Sequence, residues 1–439
     1  MGEGGTLLFV NGTDYDWHCT YAHSYQMNSW PFNDKLVIAA HTSVKFYIEW
    51  DDNIFHDKKD DGGNATFSLA GTPYSFDLGT GNRYLAITLK SIATINNAQG
   101  STLNLGWKHD GVMPFVISGK EGSFASTNPP AAWMQANLGS LGSRILRHIC
   151  IPGSHDAGMY KITGGTAFAN AANTQTQTKS IGDQLKLGSR YFDCRPVISS
   201  GKYTSGHYSN LPSPLGWQGG NGESFEEIIR EINDFTTANK ELIILNLSHD
   251  RNTDTGRDYR AFNQAEWNAL FQQLMGITSL FIAPNSRTVD LTELPLGQFI
   301  GGNRAAVVII AQPDDGSVTL GDYADHGFYT YSQFDAYNSY ADTQDLNTMS
   351  NDQLQKLRKQ RTSPDDQEFL LSWTLTQGTE AAVSGSPTIL DLANTAQLKL
   401  YTDVYPVITR NTYPNILFLD GWNSSDPTAL AMAINDTVA

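Results

Sequence analysis

Long apolar runs are scarce in this 439-residue chain: the longest, Ala305 to Ala311, falls far short of the ~18 residues needed to cross hydrocarbon. No membrane-spanning helix is expected. Cysteine is nearly absent, and the three present, Cys19, Cys150 and Cys194, are an odd number that builds no disulfide framework. Basic residues are outnumbered: 29 Lys and Arg against 45 Asp and Glu leave a net charge of −16, which works against attraction to nucleic acid or an anionic bilayer. An anionic substrate must therefore be held by local groups. Charged residues make up only 17% of the chain and hydrophobic ones 40%, a packed globular composition that excludes disorder as the main state. The start, Met1-Gly2-Glu3-Gly4-Gly5, has no basic leader region, and Leu7 to Val10 is too short for a signal core. Five Asn-x-Ser/Thr sequons, at Asn11, Asn64, Asn246, Asn423 and Asn435, nevertheless tilt the expectation towards a secreted protein. Also missing are a Gly-x-Ser-x-Gly elbow, a His-Glu-x-x-His zinc helix and a Walker loop.

What is present falls into two parts. From residue 5 to about 120 short alternating runs are separated by Gly, Asn and Asp clusters: Thr6 to Asn11, Ser43 to Trp50, Ala65 to Ala70, Tyr74 to Leu78 and Tyr84 to Leu89. Alternation buries one face and wets the other, which predicts an all-β sandwich of antiparallel strands over 1–125, a possible binding domain. Trp17, Trp30 and Trp50 read as its core rather than as a sugar platform. After the linker Gly119 to Pro130, short apolar runs alternate with helical patterns. The runs are Ile145 to Ile151, Tyr191 to Val197, Glu241 to Leu247, Ala305 to Ala311, Phe328 to Phe334, Phe369 to Leu375 and Asn415 to Leu419. The clearest helical pattern is Ser224 to Ala238, where Phe225, Ile228, Ile229, Ile232 and Phe235 recur every three or four residues. Strands buried on both faces are the mark of a parallel sheet, so 135–439 is predicted to be a TIM-like (β/α) barrel. The whole is an α/β protein whose chemistry should gather at the C-terminal strand ends.

His-Asp pairs occur at residues 56, 109, 155 and 249, and position must select among them. Only His155-Asp156 lies in a glycine-bracketed turn, Ile151-Pro152-Gly153-Ser154-His155-Asp156-Ala157-Gly158, where backbone can approach a ligand closely. In Tyr191-Phe192-Asp193-Cys194-Arg195-Pro196 strand alternation puts Asp193 and Arg195 on one face. His207 follows in a polar loop, and the last run ends at Asp420. Two imidazoles, a guanidinium and carboxylates at one mouth suit a phosphodiester. One histidine removes a proton, the other supplies one, and arginine clamps phosphate oxygens.

At these residues the chain resembles the phosphatidylinositol-specific phospholipase C X-domain family, in its bacterial and fungal single-barrel form. The match rests on the two motifs quoted, with His207 and Asp420, and covers roughly residues 135 to 439. The resemblance implies that His155 is general base, oriented by Asp420, and His207 general acid, partnered by Asp156. Arg195, supported by Asp193, would hold the phosphate, and the first product would be a cyclic inositol phosphate. It further implies no cofactor: animal-type members bind calcium through acidic residues on this strand, where Arg195 stands here. Asp335 and Tyr337 resemble the family's acid and stacking tyrosine for the sugar ring. Ser248 and His249 occupy positions where bacterial members carry basic residues, so any inositol bound is expected to be unphosphorylated or glycosylated. The partner would be a phospholipid or glycosylated inositol phosphodiester, with peripheral membrane contact and no nucleic acid. Two alternatives remain: a metal-dependent glycerophosphodiesterase or sphingomyelinase D-like enzyme, or a catalytically silent protein that binds lipid or sugar.

Overall fold

A computed structural model describes residues 3–439. The chain forms two compact units. One comprises the chain through Pro130 with Leu398–Asn411 and Ser425–Ala439; the other comprises Ala131–Gln397 and Thr412–Ser424. Two C-terminal segments that fall within the expected span 135–439 group with the N-terminal unit. Helix Asp426–Thr437 is buried without a break from Pro427 to Asn435 and packs on strands Glu3–Thr13 and Val112–Gly119. A helix apolar on every side carries no stripe to say what it packs against, so its partner is not legible in its sequence.

The N-terminal unit contains a five-stranded and a six-stranded sheet. Along Thr42–Trp50 the alternation holds: Phe46, Ile48 and Trp50 are buried while Lys45 and Tyr47 face water. Phe9 and Phe115 of the first sheet and Trp17, Phe67 and Phe76 of the second join one apolar cluster. Strand direction differs from expectation in one pair, since Glu3–Thr13 runs parallel to Val112–Gly119. Alternation reports one-sided burial and is silent on direction.

The second unit is mixed α/β, built on eight parallel strands: β1 Ile151–Ser154, β2 Tyr191–Cys194, β3 Leu242–Ser248, β4 Ala306–Gln312, β5 Phe328–Thr330, β6 Tyr337–Asn338, β7 Phe369–Ser372 and β8 Ile416–Leu419. Neighbours pair in sequence order, and β8 pairs back onto β1, so the sheet curls round on itself. Among the described residues β5 and β6 do not pair, which leaves it open there. β3 is buried at every position, Asn246 and Ser248 included, as a strand covered on both faces is. The run Ile145 to Ile151 contributes only its last residue to β1, because Leu146–His148 forms a 3-10 turn. Two-residue β6 has no apolar run to announce it. Helix Phe225–Ala238 has the expected buried face, Phe225, Ile228, Ile232 and Phe235. Its start is fixed by Ser224 and Glu227, each side chain accepting from the other's backbone N–H.

Among the sequons, Asn11, Asn246 and Asn435 are buried, whereas Asn64 and Asn423 are exposed. No helix among the described residues is long and apolar enough to cross a membrane.

Candidate active site

The ends of β1, β2 and β8 deliver His155, Arg195 and Asp420 to one place. Ring contacts fix which face is inward: Phe418 of β8 lies 5.2 Å from the His155 ring and 6.0 Å from Tyr191 of β2. Asp420, two residues on from Phe418, points the same way, as do Asp193 and Arg195 after Tyr191. His207 arrives differently. It stands on a strand, Lys202–Leu211, not in the polar loop the sequence suggests. That strand pairs antiparallel with Gly216–Ser224, His207 opposite Gly220. The hairpin needs bare backbone here, since a Cβ on Gly219 would stand 2.0 Å from the His207 carbonyl oxygen. Those glycines mask the strand from a reading based on apolar alternation.

The hydrogen bonds assign protons. Asp420, almost fully buried, accepts from Nδ1 of His155 at 2.7 Å, and Nη2 of Arg195 donates to Nε2 of the same ring at 2.7 Å. A carboxylate only accepts and a guanidinium only donates, so both neighbours select the neutral tautomer protonated on Nδ1. Asp156, fully buried, accepts from Nδ1 of His207 at 2.6 Å. Among the described residues Nε2 of His207 has no protein partner. Arg195 spans the two halves. Its Nε donates to Asp193 at 3.2 Å, and its Nη1 is 3.6 Å from the Asp156 oxygen that holds His207. The backbone at Asp156 is left-handed, with φ of 42°, a strain that sites tend to concentrate. Its second carboxylate oxygen is buried without a partner.

Burial works against the His155 imidazolium, but the Asp420 carboxylate and its hydrogen bond, with Asp193, outweigh that and the Arg195 charge. The pKa is raised above its ordinary value. Burial also opposes the Asp193 carboxylate, yet Arg195, His155, His249 and the Ser248 hydroxyl hold its pKa down at about 2. His249 goes the other way: the Arg195 charge, then desolvation, lower its pKa and keep the ring neutral at pH 7.

The remaining expected residues divide. Ser248 is buried and donates to Asp193 at 2.7 Å while lying 2.8 Å from Nδ1 of His249, so its hydroxyl supports the carboxylate instead of facing a ligand. His249, with φ of 55°, stands at the rim beside it. Asp335 is exposed and makes no side-chain hydrogen bond or ion pair among the described residues. Tyr337 stacks on Phe369, 5.5 Å away. Leu370 pairs with Ile416, on the same face of β8 as Phe418, so Phe369 and with it Tyr337 lie on the opposite face from His155. Tyr337 therefore does not join the histidines. Spacing alone could not show this, because the face of a two-residue strand is set by its pairing partner.

Two residues at the site have no signal in the sequence. Thr176 and Gln177, in a polar loop, bind the backbone of both β1 and β8 ends.

No protein-family model and no curated protein matches the chain. Solved structures do. The chain is similar to a phosphatidylinositol-specific phospholipase C from Staphylococcus aureus at 15% identity and a TM-score of 0.50, covering 71% of this chain and 98% of that one. For the phosphatidylinositol-specific phospholipase C from Listeria monocytogenes the figures are 17% identity, a TM-score of 0.44, 68% and 94%. At 15% identity the likeness to the Staphylococcus aureus structure is one of fold alone.

Proposed function

We propose that the second unit is a phospholipase C-like phosphodiesterase that cleaves a phosphatidylinositol-type diester by acid–base catalysis between His155 and His207. The observation that carries this reading is the arrangement of two imidazoles, each bonded through Nδ1 to a buried carboxylate, with one guanidinium between them. The carboxylates fix the rings through Nδ1 and direct each Nε2 away from themselves.

Arg195 donates to the Nε2 lone pair of His155. An incoming phosphate competes for the guanidinium, and its shift onto phosphate oxygens frees the base. His155 then takes the proton of the inositol 2-hydroxyl as that oxygen attacks phosphorus. The bond from phosphorus to the diacylglycerol oxygen breaks, and protonated His207 gives its Nε2 proton to the leaving oxygen. The product is a cyclic phosphate, and water reverses the roles to open it. Arg195, in contact with both Asp156 and Asp193, supplies a fixed cation to the phosphate, and the proposal requires no metal ion.

His249, neutral at the rim, suits a ring hydroxyl better than a further phosphate, which supports an unphosphorylated or glycosylated headgroup. A secreted location belongs to the same proposal, with exposed Asn64 and Asn423 as glycan acceptors. The N-terminal unit, a β-sandwich in this reading, would bind sugar or lipid. The test is to incubate the protein with phosphatidylinositol in EDTA and follow phosphorus NMR. A cyclic phosphate signal is expected; activity that vanishes with the chelator, or no turnover of any phosphodiester, sinks the proposal.

A further inference from the structure

The regular pairing of β1 with β8 ends at Ser154 and Leu419, one residue before each strand delivers its functional side chain. Past that point the sheet no longer satisfies the backbone. His155 N–H still reaches the Leu419 carbonyl at 3.0 Å, but the His155 carbonyl and the Trp422 N–H have no ladder partner. A single side chain, Gln177, meets both needs. Its Nε2 donates to the carbonyls of His155 at 2.7 Å and Leu419 at 3.1 Å, and its Oε1 accepts from Trp422 N–H at 3.0 Å. Gln177 is fully buried. Only a primary amide has two donors and an acceptor without charge, and asparagine is one methylene too short to span both strand ends. The neighbouring Thr176 adds two ties: its hydroxyl donates to the Asp156 carbonyl at 2.9 Å, and its own carbonyl accepts from Gly421 N–H at 2.8 Å.

We propose that Gln177 is a positioning residue that holds the His155 backbone against the Leu419–Trp422 turn, and so sets the contact between the His155 imidazole and the Asp420 carboxylate. The proposal rests on the reading of His155 as general base for its kinetic consequence, but not for its structural one. Asp420 and Asp193 favour the His155 imidazolium and Arg195 opposes it. Loosening the clamp weakens the Asp420 contact first, because Asp193 and Arg195 are carried by β2, which Gln177 does not touch.

The experiment is a titration of the His155 ring by NMR in the full-length protein and in Gln177→Asn and Gln177→Met, with folding checked by near-ultraviolet circular dichroism. The expected result is a lower His155 pKa in both variants. On a turned-over phosphodiester it is accompanied by a kcat loss on the order of 10²-fold, with KM little changed, as a small displacement of a reacting group produces. Folded variants in which the His155 titration is unmoved overturn the proposal, whatever the activity does. The unaltered protein provides a second readout: the Gln177 side-chain amide protons should exchange slowly, and exchange as fast as that of an exposed glutamine also overturns it. A protein without any phosphodiesterase activity would refute the functional reading while leaving both measurements decisive for Gln177.

Discussion

Arg195 Nη2 donates a hydrogen bond into the Nε2 lone pair of His155 across 2.7 Å, so the candidate base is capped by the candidate phosphate clamp. In the proposed mechanism this contact makes the phosphate-binding charge the gatekeeper of the base. A bound oxyanion should therefore uncouple the two, and Arg195→Lys, whose single ammonium cannot bridge Asp193, Asp156 and phosphate as a planar fork does, should lower kcat while leaving the fold intact.

The His155 titration follows from the same neighbours. Because its pKa is raised, the ring is protonated in the folded protein at pH values where the unfolded chain has lost that proton. Its contribution to stability is complete below the unfolded value of ~6.5 and is lost as pH rises through the folded value. Activity should run in the opposite sense, rising as the base deprotonates. Asp420→Asn removes the group that raises the pKa, and burial with Arg195 should then lower it; an NMR titration that does not move downward would contradict this.

His207 is expected to carry the acid role through the proton at Nε2. His207→Ala should cost on the order of 10² to 10⁴-fold in rate. With a substrate whose leaving group is an acidic phenol needing no protonation, most of that loss should disappear. Equal losses on both substrates would remove His207 from proton transfer.

Glu223 predicts a stability effect of its own. It is fully buried, and burial, with the charges of Glu231 and Glu227, pushes its pKa up to about 8. Between ~4.5 and about 8 the unfolded chain releases this proton and the folded protein keeps it, so stability falls with rising pH across that window. Glu223→Gln removes the titration. It should stabilise the protein at pH 8 by on the order of 2 to 4 kcal/mol relative to its effect at pH 4.5, read by urea unfolding at the two pH values.

Arg190, one residue before the Tyr191–Pro196 motif that carries Arg195, should behave as a purely structural residue. Both it and Glu241 are fully buried, joined at 2.8 Å, and Arg190 also donates to the Leu185 and Ser189 carbonyls. Arg190→Ala removes the guanidinium partner of the buried Glu241 side chain and should cost about 3 to 5 kcal/mol in denaturant unfolding. The His155 titration should be unchanged in whatever fraction remains folded.

The legible parts of this protein are those set within a few residues. The glycine-bracketed turn around His155-Asp156, the shared face of Asp193 and Arg195, and the apolar runs of β2, β3, β4, β7 and β8 all follow from local periodicity, which burial imposes residue by residue. The strand bearing His207 was hidden because its partner is glycine-rich, and a pattern made of backbone contacts leaves no apolar trace. Tertiary structure alone decided the long-range matters. His155 meets Asp420 across 265 residues, Gln177 joins two strand ends, Tyr337 turns to the far face, and the C-terminal helix groups with the N-terminal unit. Each depends on which strand pairs with which and in what register. That is set by the closing of a sheet whose members are distant in the chain, and no window of sequence contains both sides of such a pairing.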